Sequence, residues 1–240
     1  ARRFGIEGAI TWNLAEVAFD SCLAGHWDTS LEIHDAEIAR IEGGAPHYLE
    51  TQHRQSRSRI RLGRGDVAGA LEDAERAVAA GREARDPQAL LPCLAERAKA
   101  LLAAGRGEEA EADVSEIVER NAAEPSLDWS WWILQAAIVL TERGRGEDLL
   151  ALGGEDLPSE WVRAARRWAS GEFAGAADLL EEMGAAPDEA SARKKEAERL
   201  IAAGRRAEAE PSLARALELF RSMGAAGSIR EAERLLAPPA

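Results

Sequence analysis

The sequence predicts an all-α protein: about six helix pairs wound into a superhelix, with a capping helix at the C-terminal end. Three observations carry this. A short phrase recurs, in which a helix-ending glycine is followed by one or two polar residues and, five positions on, a small residue; it begins at Gly25, Gly65, Gly105, Gly144, Gly171 and Gly204. The spacings between these glycines are 40, 40, 39, 27 and 33 residues, and a period of that size built from helix pairs marks an α-solenoid. The apolar share is 46% but the aromatic share only 5%, so alanine and leucine supply the core. Both form helices readily, and small side chains let helices approach closely. The β-branched alternation expected of strands is scarce.

Apolar periodicity and glycine punctuation place the elements in order. The first pair covers residues 6–23 and 27–41, the second 47–62 and 66–83, the third 90–103 and 108–120. The fourth covers 129–142 with a stub at 147–152, the fifth 160–170 and 173–183, the sixth 189–203 and 207–220. A last helix over 228–236 ends before Pro238-Pro239, where proline cannot continue a helix. Each repeat glycine closes the first helix of its pair in the left-handed conformation that only glycine adopts cheaply. The small residues five positions on are Ser30, Ala70, Ala110, Ala176 and Ala209, where paired helices should touch. Leu149 breaks the rule in the fourth unit, which also precedes the shortest spacing and a glycine-rich loop over 153–158. An irregularity in the superhelix is expected at 144–158.

Net charge is −13 and the sequence pI about 4.9, the opposite of the basic footprint of a nucleic-acid-binding domain and unfavourable for an anionic membrane surface. Cys22 and Cys93 lie far apart, which fits a reducing, cytoplasmic compartment better than a disulfide scaffold. No N-terminal apolar signal segment is visible, and the longest nearly apolar run, 131–140, is too short to span a bilayer. The chain opens on Ala1-Arg2-Arg3 without an initiator methionine, so the expectation is a fragment of a larger multidomain protein, or a processed chain.

The small residue seven before the glycine and the larger one four before it (Ala98 and Leu101, Ala137 and Leu140, Ala197 and Leu200) resemble tetratricopeptide repeats. The second unit departs from this, with Ser58 and Arg61 at the two positions. The 40-residue spacing is similar to the repeats of bacterial signal-transduction ATPases of the STAND type, which include maltose-regulator-like activators and ATPase-linked nucleotide cyclases. Arg57-Ser-Arg-Ile-Arg-Leu-Gly-Arg-Gly-Asp66, Asp86-Pro-Gln-Ala-Leu90 and residues 213–236 with Phe220-Arg-Ser-Met-Gly-Ala-Ala carry that likeness. It covers nearly the whole chain. It implies a right-handed tetratricopeptide-like superhelix, one domain over 1–240, acting as the sensor or docking arm of a bacterial signalling protein.

Catalytic signatures are scarce. There is no G-x-x-x-x-G-K-[ST] phosphate loop; Lys99, Lys194 and Lys195 are the only lysines and none follows a glycine. Gly105-Arg-Gly107-Glu-Glu-Ala110 matches a dinucleotide fingerprint by letters but sits in a helix–helix turn with no strand before it. His26, His34, His47 and His53 form no metal-binding pattern, and no G-x-S-x-G elbow is present. Carboxylates such as Glu108-Glu109 and Glu181-Glu182 suit helix starts and solvent faces. No catalytic residue, metal or cofactor is therefore expected.

Two features rise above this background. In tetratricopeptide-like repeats the concave face is lined by positions thirteen, ten, six and three before the glycine. Counting back gives Trp131, Leu134, Ile138 and Thr141 in the fourth unit, Trp161, Ala165 and Trp168 in the fifth, and Trp12, Ala15, Phe19 and Cys22 in the first. Gln52, Gln55, Arg59 and Lys99 occupy such positions in the second and third units. Residues 129–140 are apolar nearly all round, except Ser130 and Gln135, so that helix must be covered on every side. These aromatics are either covered core or the floor of a groove for a partner. The second feature is a basic stripe, Arg54, Arg57, Arg61 and Arg64 at helical spacing, with Arg59 on another face. It is either a solvated face paired with neighbouring carboxylates or a docking point for an acidic partner or phosphate.

The expected function is a non-catalytic protein-interaction or regulatory module. Trp131, Leu134, Ile138, Trp161 and Trp168 form its apolar floor, and Gln52, Gln55, Arg59 and Lys99 its polar end. The partner is a protein segment or another domain of the same parent. The alternative is a sensor of a small-molecule effector, marked by a closed pocket with polar groups beside the tryptophans. A self-associating scaffold ranks below both, and an enzyme would need a buried carboxylate cluster with raised pKa values.

Overall fold

The computed structural model describes residues 7–123, 131–151 and 159–236. Among these the protein is all-α, with no strand: α1 (Glu7–Leu23), α2 (Trp27–Glu42), α3 (Glu50–Arg64), α4 (Val67–Ala84), α5 (Pro87–Ala103), α6 (Gly107–Ala123), α7 (Trp131–Glu142), α8 (Gly146–Leu150), α9 (Glu160–Ala169), α10 (Phe173–Glu182), α11 (Ala186–Ala202), α12 (Arg206–Ser222) and α13 (Ala226–Arg234). Consecutive helices pack on one another, and the first helices of successive pairs also touch, α3 on α5, α5 on α7 and α7 on α9. This is the packing of a helical repeat. Trp129, Ser130, the 153–158 loop, Pro238-Pro239 and the N-terminal Ala1-Arg2-Arg3 lie outside the described residues.

The repeat phrase has a direct structural meaning. All six of its glycines take positive φ, from +71° at Gly144 to +90° at Gly65. The small residues seven before and five after each glycine are buried where the paired helices meet, Ala98 and Ala110 being fully covered. In the first two units one member of the pair is a serine, which seals the contact by donating to a backbone carbonyl: Ser30 to the Ala18 oxygen and Ser58 to the Ala70 oxygen, both at 2.8 Å. Leu149 in the fourth unit is buried too, and there α8 is only a five-residue helix.

Three helix starts differ from expectation by three residues, and one of them, α3, begins late, at Glu50 rather than residue 47. α5 begins at Pro87 rather than residue 90, because the Asp86 carboxylate caps it by accepting from the Gln88 amide at 2.9 Å and proline is suited to a first turn. α11 begins at Ala186 rather than residue 189, with no side-chain cap but with Pro187 in its first turn.

Two large hydrophobic cores result among the described residues, beside a small cluster of Ala70, Ala74 and Ala100. The larger runs continuously from α4 through α11, with Val78, Leu94, Ile117, Leu134, Leu140 and Leu180 at its centre. The second joins the two ends of the chain, packing Cys22, Trp27 and Ile60 of the first three helices against Leu213, Leu217, Phe220 and Met223. α13 lies on α3, and α1 touches α11. At the α3–α13 seam two glycines meet: a methyl group on Gly227 would fall 2.6 Å from the Gly65 nitrogen and 2.7 Å from its Cα. The superhelix therefore closes on itself, and α11–α13 cover the inner face of the N-terminal half.

Candidate functional site

Closure divides the inner face into two cavities at opposite ends of α3, α5 and α7. The middle of α1 and the N-terminal ends of α3, α5 and α7 surround about 270 Å³, walled by five aromatics, Trp12, Phe19, Tyr48, Trp131 and Trp132, with Gln52 and Gln55. Trp12 and Tyr48 stack at its mouth with ring centroids 6.2 Å apart, and both are nearly half exposed. The Tyr48 hydroxyl donates to the Asp86 carboxylate at 2.6 Å, so the cap of α5 also orients this wall.

The C-terminal ends of α3, α5 and α7 line the larger chamber, about 550 Å³ and half open to solvent, with α11 and α13 on its other side. Trp27, Leu62, Ile138 and Trp168 form its apolar wall; Arg59, Lys99 and Asp188 form its polar end. Along α5 and α7, buried residues separate the two cavities: Leu94 and Glu96 on α5, Leu134 and Gln135 on α7.

That partition is a circuit of five side chains from four helices. Arg59 Nη2 donates to Asp188 Oδ2 at 2.5 Å, Gln135 Nε2 to Asp188 Oδ1 at 3.0 Å, and Lys99 Nζ to Gln135 Oε1 at 2.6 Å. Glu96 closes it, 3.9 Å from both Arg59 Nη1 and Lys99 Nζ. Its carboxylate oxygens accept no hydrogen bond, so its charge is balanced by two nearby cations alone. Burial alone would raise the Asp188 carboxyl, but the Arg59 guanidinium outweighs it and holds the pKa below the usual carboxylate range. Burial lowers the Lys99 ammonium. Asp188 is thus an anchoring anion rather than a proton carrier.

The residues read from sequence as one groove fall in different places. Trp131, Gln52 and Gln55 line the aromatic cavity, while Ile138, Trp168, Arg59 and Lys99 line the larger chamber. Leu134 is fully buried in the partition. Trp161 packs against the larger core and lines neither cavity. An open, continuous groove floor is therefore corrected to two cavities and a dry partition. The α11–α13 cover comes from distant parts of the chain, Asp188 lying 53 positions from Gln135 and 129 from Arg59, so no local pattern announces it.

Of the two readings of the basic stripe, the structure shows the pairing with carboxylates of neighbouring helices. Asp73 receives Arg57 through two bonds of 2.7 Å and Arg61 at 2.8 Å, with Arg54 Nη1 3.6 Å away. Arg54 also bonds Glu50 and Glu42, Arg57 reaches Asp35, and Arg64 is paired with Asp28. Arg54, Arg57, Arg61 and Arg64 are interhelical ties from α3 to α2 and α4, and a docking role would require breaking them. The same tie recurs one repeat later, Arg97 holding Asp113 by bonds of 2.8 and 2.5 Å. In both units the arginine is eight positions before the repeat glycine and the aspartate eight after, a signal the sequence carried.

Sequence reasoning missed Glu96, Asp188, Arg230 and Arg234. Gln135 was visible as the polar exception in an apolar helix, and its position in the circuit explains it. Cys22 and Cys93 are buried, and burial pushes both thiols up, Cys22 to about 12. His34 and His53 are fully buried, with Nδ1 atoms 2.9 Å apart. Among the described residues no three His, Cys, Asp or Glu side chains group as metal ligands would, and no helix is long and apolar enough to cross a membrane. No protein-family model matches the chain, and no curated protein is significantly similar to it.

Proposed function

We propose that this chain is a non-catalytic regulatory module that takes a small effector into the interior of its closed superhelix. This is the sensing arm of a larger signalling protein that the repeats' resemblance to STAND-type regulators implies. One observation carries the reading: α11 and α13 lie across the C-terminal ends of α3, α5 and α7, making a chamber of about 550 Å³ with tryptophans beside charged groups. That volume and mixed lining suit a small-molecule site. Because the chamber's walls come from both halves of the chain, a molecule touching both favours the closed form over an open one. That difference in affinity is what a regulatory shift requires.

The test is calorimetric titration with shape-matched probes, 2-naphthoate and 2-naphthamide, and the smaller benzoate and benzamide, against the wild type and Ser228→Trp. Ser228 lines the chamber between Gly227 and Arg230, and an indole there intrudes on the space a bicyclic probe would take. Saturable binding of one probe per chain, lost in Ser228→Trp with helical circular dichroism retained, supports the reading. No saturable binding, or binding unaffected by Ser228→Trp, rejects it.

The exposed Trp12–Tyr48 stack favours a second reading, in which a partner segment docks at the aromatic cavity. Exposed aromatics with a polar tip are common anchors at interfaces. Trp12→Ala separates the two readings, since it removes that anchor and leaves the chamber untouched.

A further inference from the structure

The chamber's charge is opposite in sign to that of the whole protein. The chain carries −13, yet six basic and four acidic side chains line the chamber, an excess of two positive charges. All three lysines of the sequence, Lys99, Lys194 and Lys195, are among them. Lys194 and Lys195 are held by carboxylates, Lys194 by Glu231 at 2.7 Å and Lys195 by Glu142. Arg230 and Arg234 differ from these. They lie one turn apart on α13, exposed at the chamber's edge, and have no hydrogen-bond or ion-pair partner among the described residues. The Arg230 guanidinium lies over Gly65 at the end of α3, so it spans the seam that closes the superhelix.

We infer that the chamber binds an organic anion with an apolar body, such as an aromatic or branched carboxylate. The inference rests on the interior-chamber reading above. The apolar part packs against Trp27, Leu62, Ile138 and Trp168, and the anionic end meets Arg230 and Arg234 at the mouth. A guanidinium pair presents the forked donors that match a carboxylate. The buried end of the chamber offers no competing cation, because the Arg59 and Lys99 charges are already committed to Asp188, Gln135 and Glu96. A cationic ligand would meet an unbalanced positive lining, and a neutral one would leave both guanidiniums as they are. Bound there, the anion ties α13 to the end of α3 and reinforces closure.

The probes already named test the charge once 2-naphthylmethylammonium is added, giving anion, neutral and cation on one ring system. The expected order is naphthoate tightest, naphthamide weaker by about fivefold and the ammonium weakest, the gap between anion and amide corresponding to two partly exposed charge contacts. Arg230→Gln/Arg234→Gln should weaken naphthoate about fivefold and leave naphthamide unchanged. Raising NaCl from 50 to 500 mM, conditions chosen for screening, should act in the same direction. If naphthamide or the ammonium binds as tightly as naphthoate, or the double variant leaves naphthoate unaffected, the anion assignment is overturned while the chamber reading survives. If no probe binds in a way that Ser228→Trp abolishes, the chamber reading itself fails.

Discussion

Arg59 and Asp188, 129 positions apart in sequence, meet at 2.5 Å in the centre of the protein, both almost completely buried. This contact joins α3 to α11 and makes the two halves of the solenoid one closed body. Two charges in a dry site attract strongly but lose their hydration, so such a pair is worth little against a well-packed apolar substitute. Removing only one partner strands the other.

Arg59→Met and Asp188→Asn should each destabilise the protein by about 3 kcal/mol, because each leaves a buried charge short of its partner. Arg59→Met/Asp188→Leu should recover more than half of that loss. Urea unfolding of the three variants followed by circular dichroism measures the coupling. Additive losses would mean that the pair does not act as a unit.

Asp73 gathers three guanidiniums, whereas Asp113 holds one, on a partly exposed arginine. Asp73→Ala should therefore cost about 3 kcal/mol and Asp113→Ala about 1 kcal/mol. Equal thermal shifts for the two would contradict this account of the stripe. The architecture behind these ties was readable: glycine spacing, buried small residues and helix order follow from local rules that need no knowledge of distant contacts. Beyond the Arg57–Asp73 and Arg97–Asp113 spacing that the repeat carries, the pairing of the arginines was not, since charge at helical spacing reads the same whether it faces water or the next helix.

The His34–His53 pair makes stability depend on pH. Burial and the neighbouring imidazole lower His34 to about 3, and burial lowers His53 to about 4, both from an ordinary value of 6.5. Below pH 6.5 the unfolded chain thus binds protons that the folded one excludes, so stability rises with pH through that range. It should be complete above about pH 7 and fall as the medium is acidified toward pH 4, by about 2 kcal/mol per imidazole between pH 7 and 5. Denaturant midpoints across that window check the slope, which His34→Gln/His53→Gln should flatten. An unchanged slope in the double variant would place the acid sensitivity elsewhere.

Gly227→Ala pushes a methyl into the backbone of Gly65 and should open the α3–α13 seam at a cost of about 1–3 kcal/mol. Hydrogen exchange should speed up across 226–234 while α5–α7 keep their protection. Uniform loosening, or none, would show that closure does not depend on this contact.

Local chemistry in the sequence determined the helices, their glycine ends, the buried small residues between paired helices and the all-α repeat, because each of these depends on neighbours within about forty positions. Only the tertiary structure decided that the repeat closes on itself. It sends Gln55 and Trp131 to one cavity and Arg59 and Ile138 to another, and turns Gln135, Glu96 and Asp188 into a single circuit. Those outcomes depend on how small rotations between successive helix pairs accumulate along the chain. The accumulated geometry brings Gly227 onto Gly65 and Met223 against Gly25, and no single repeat encodes it.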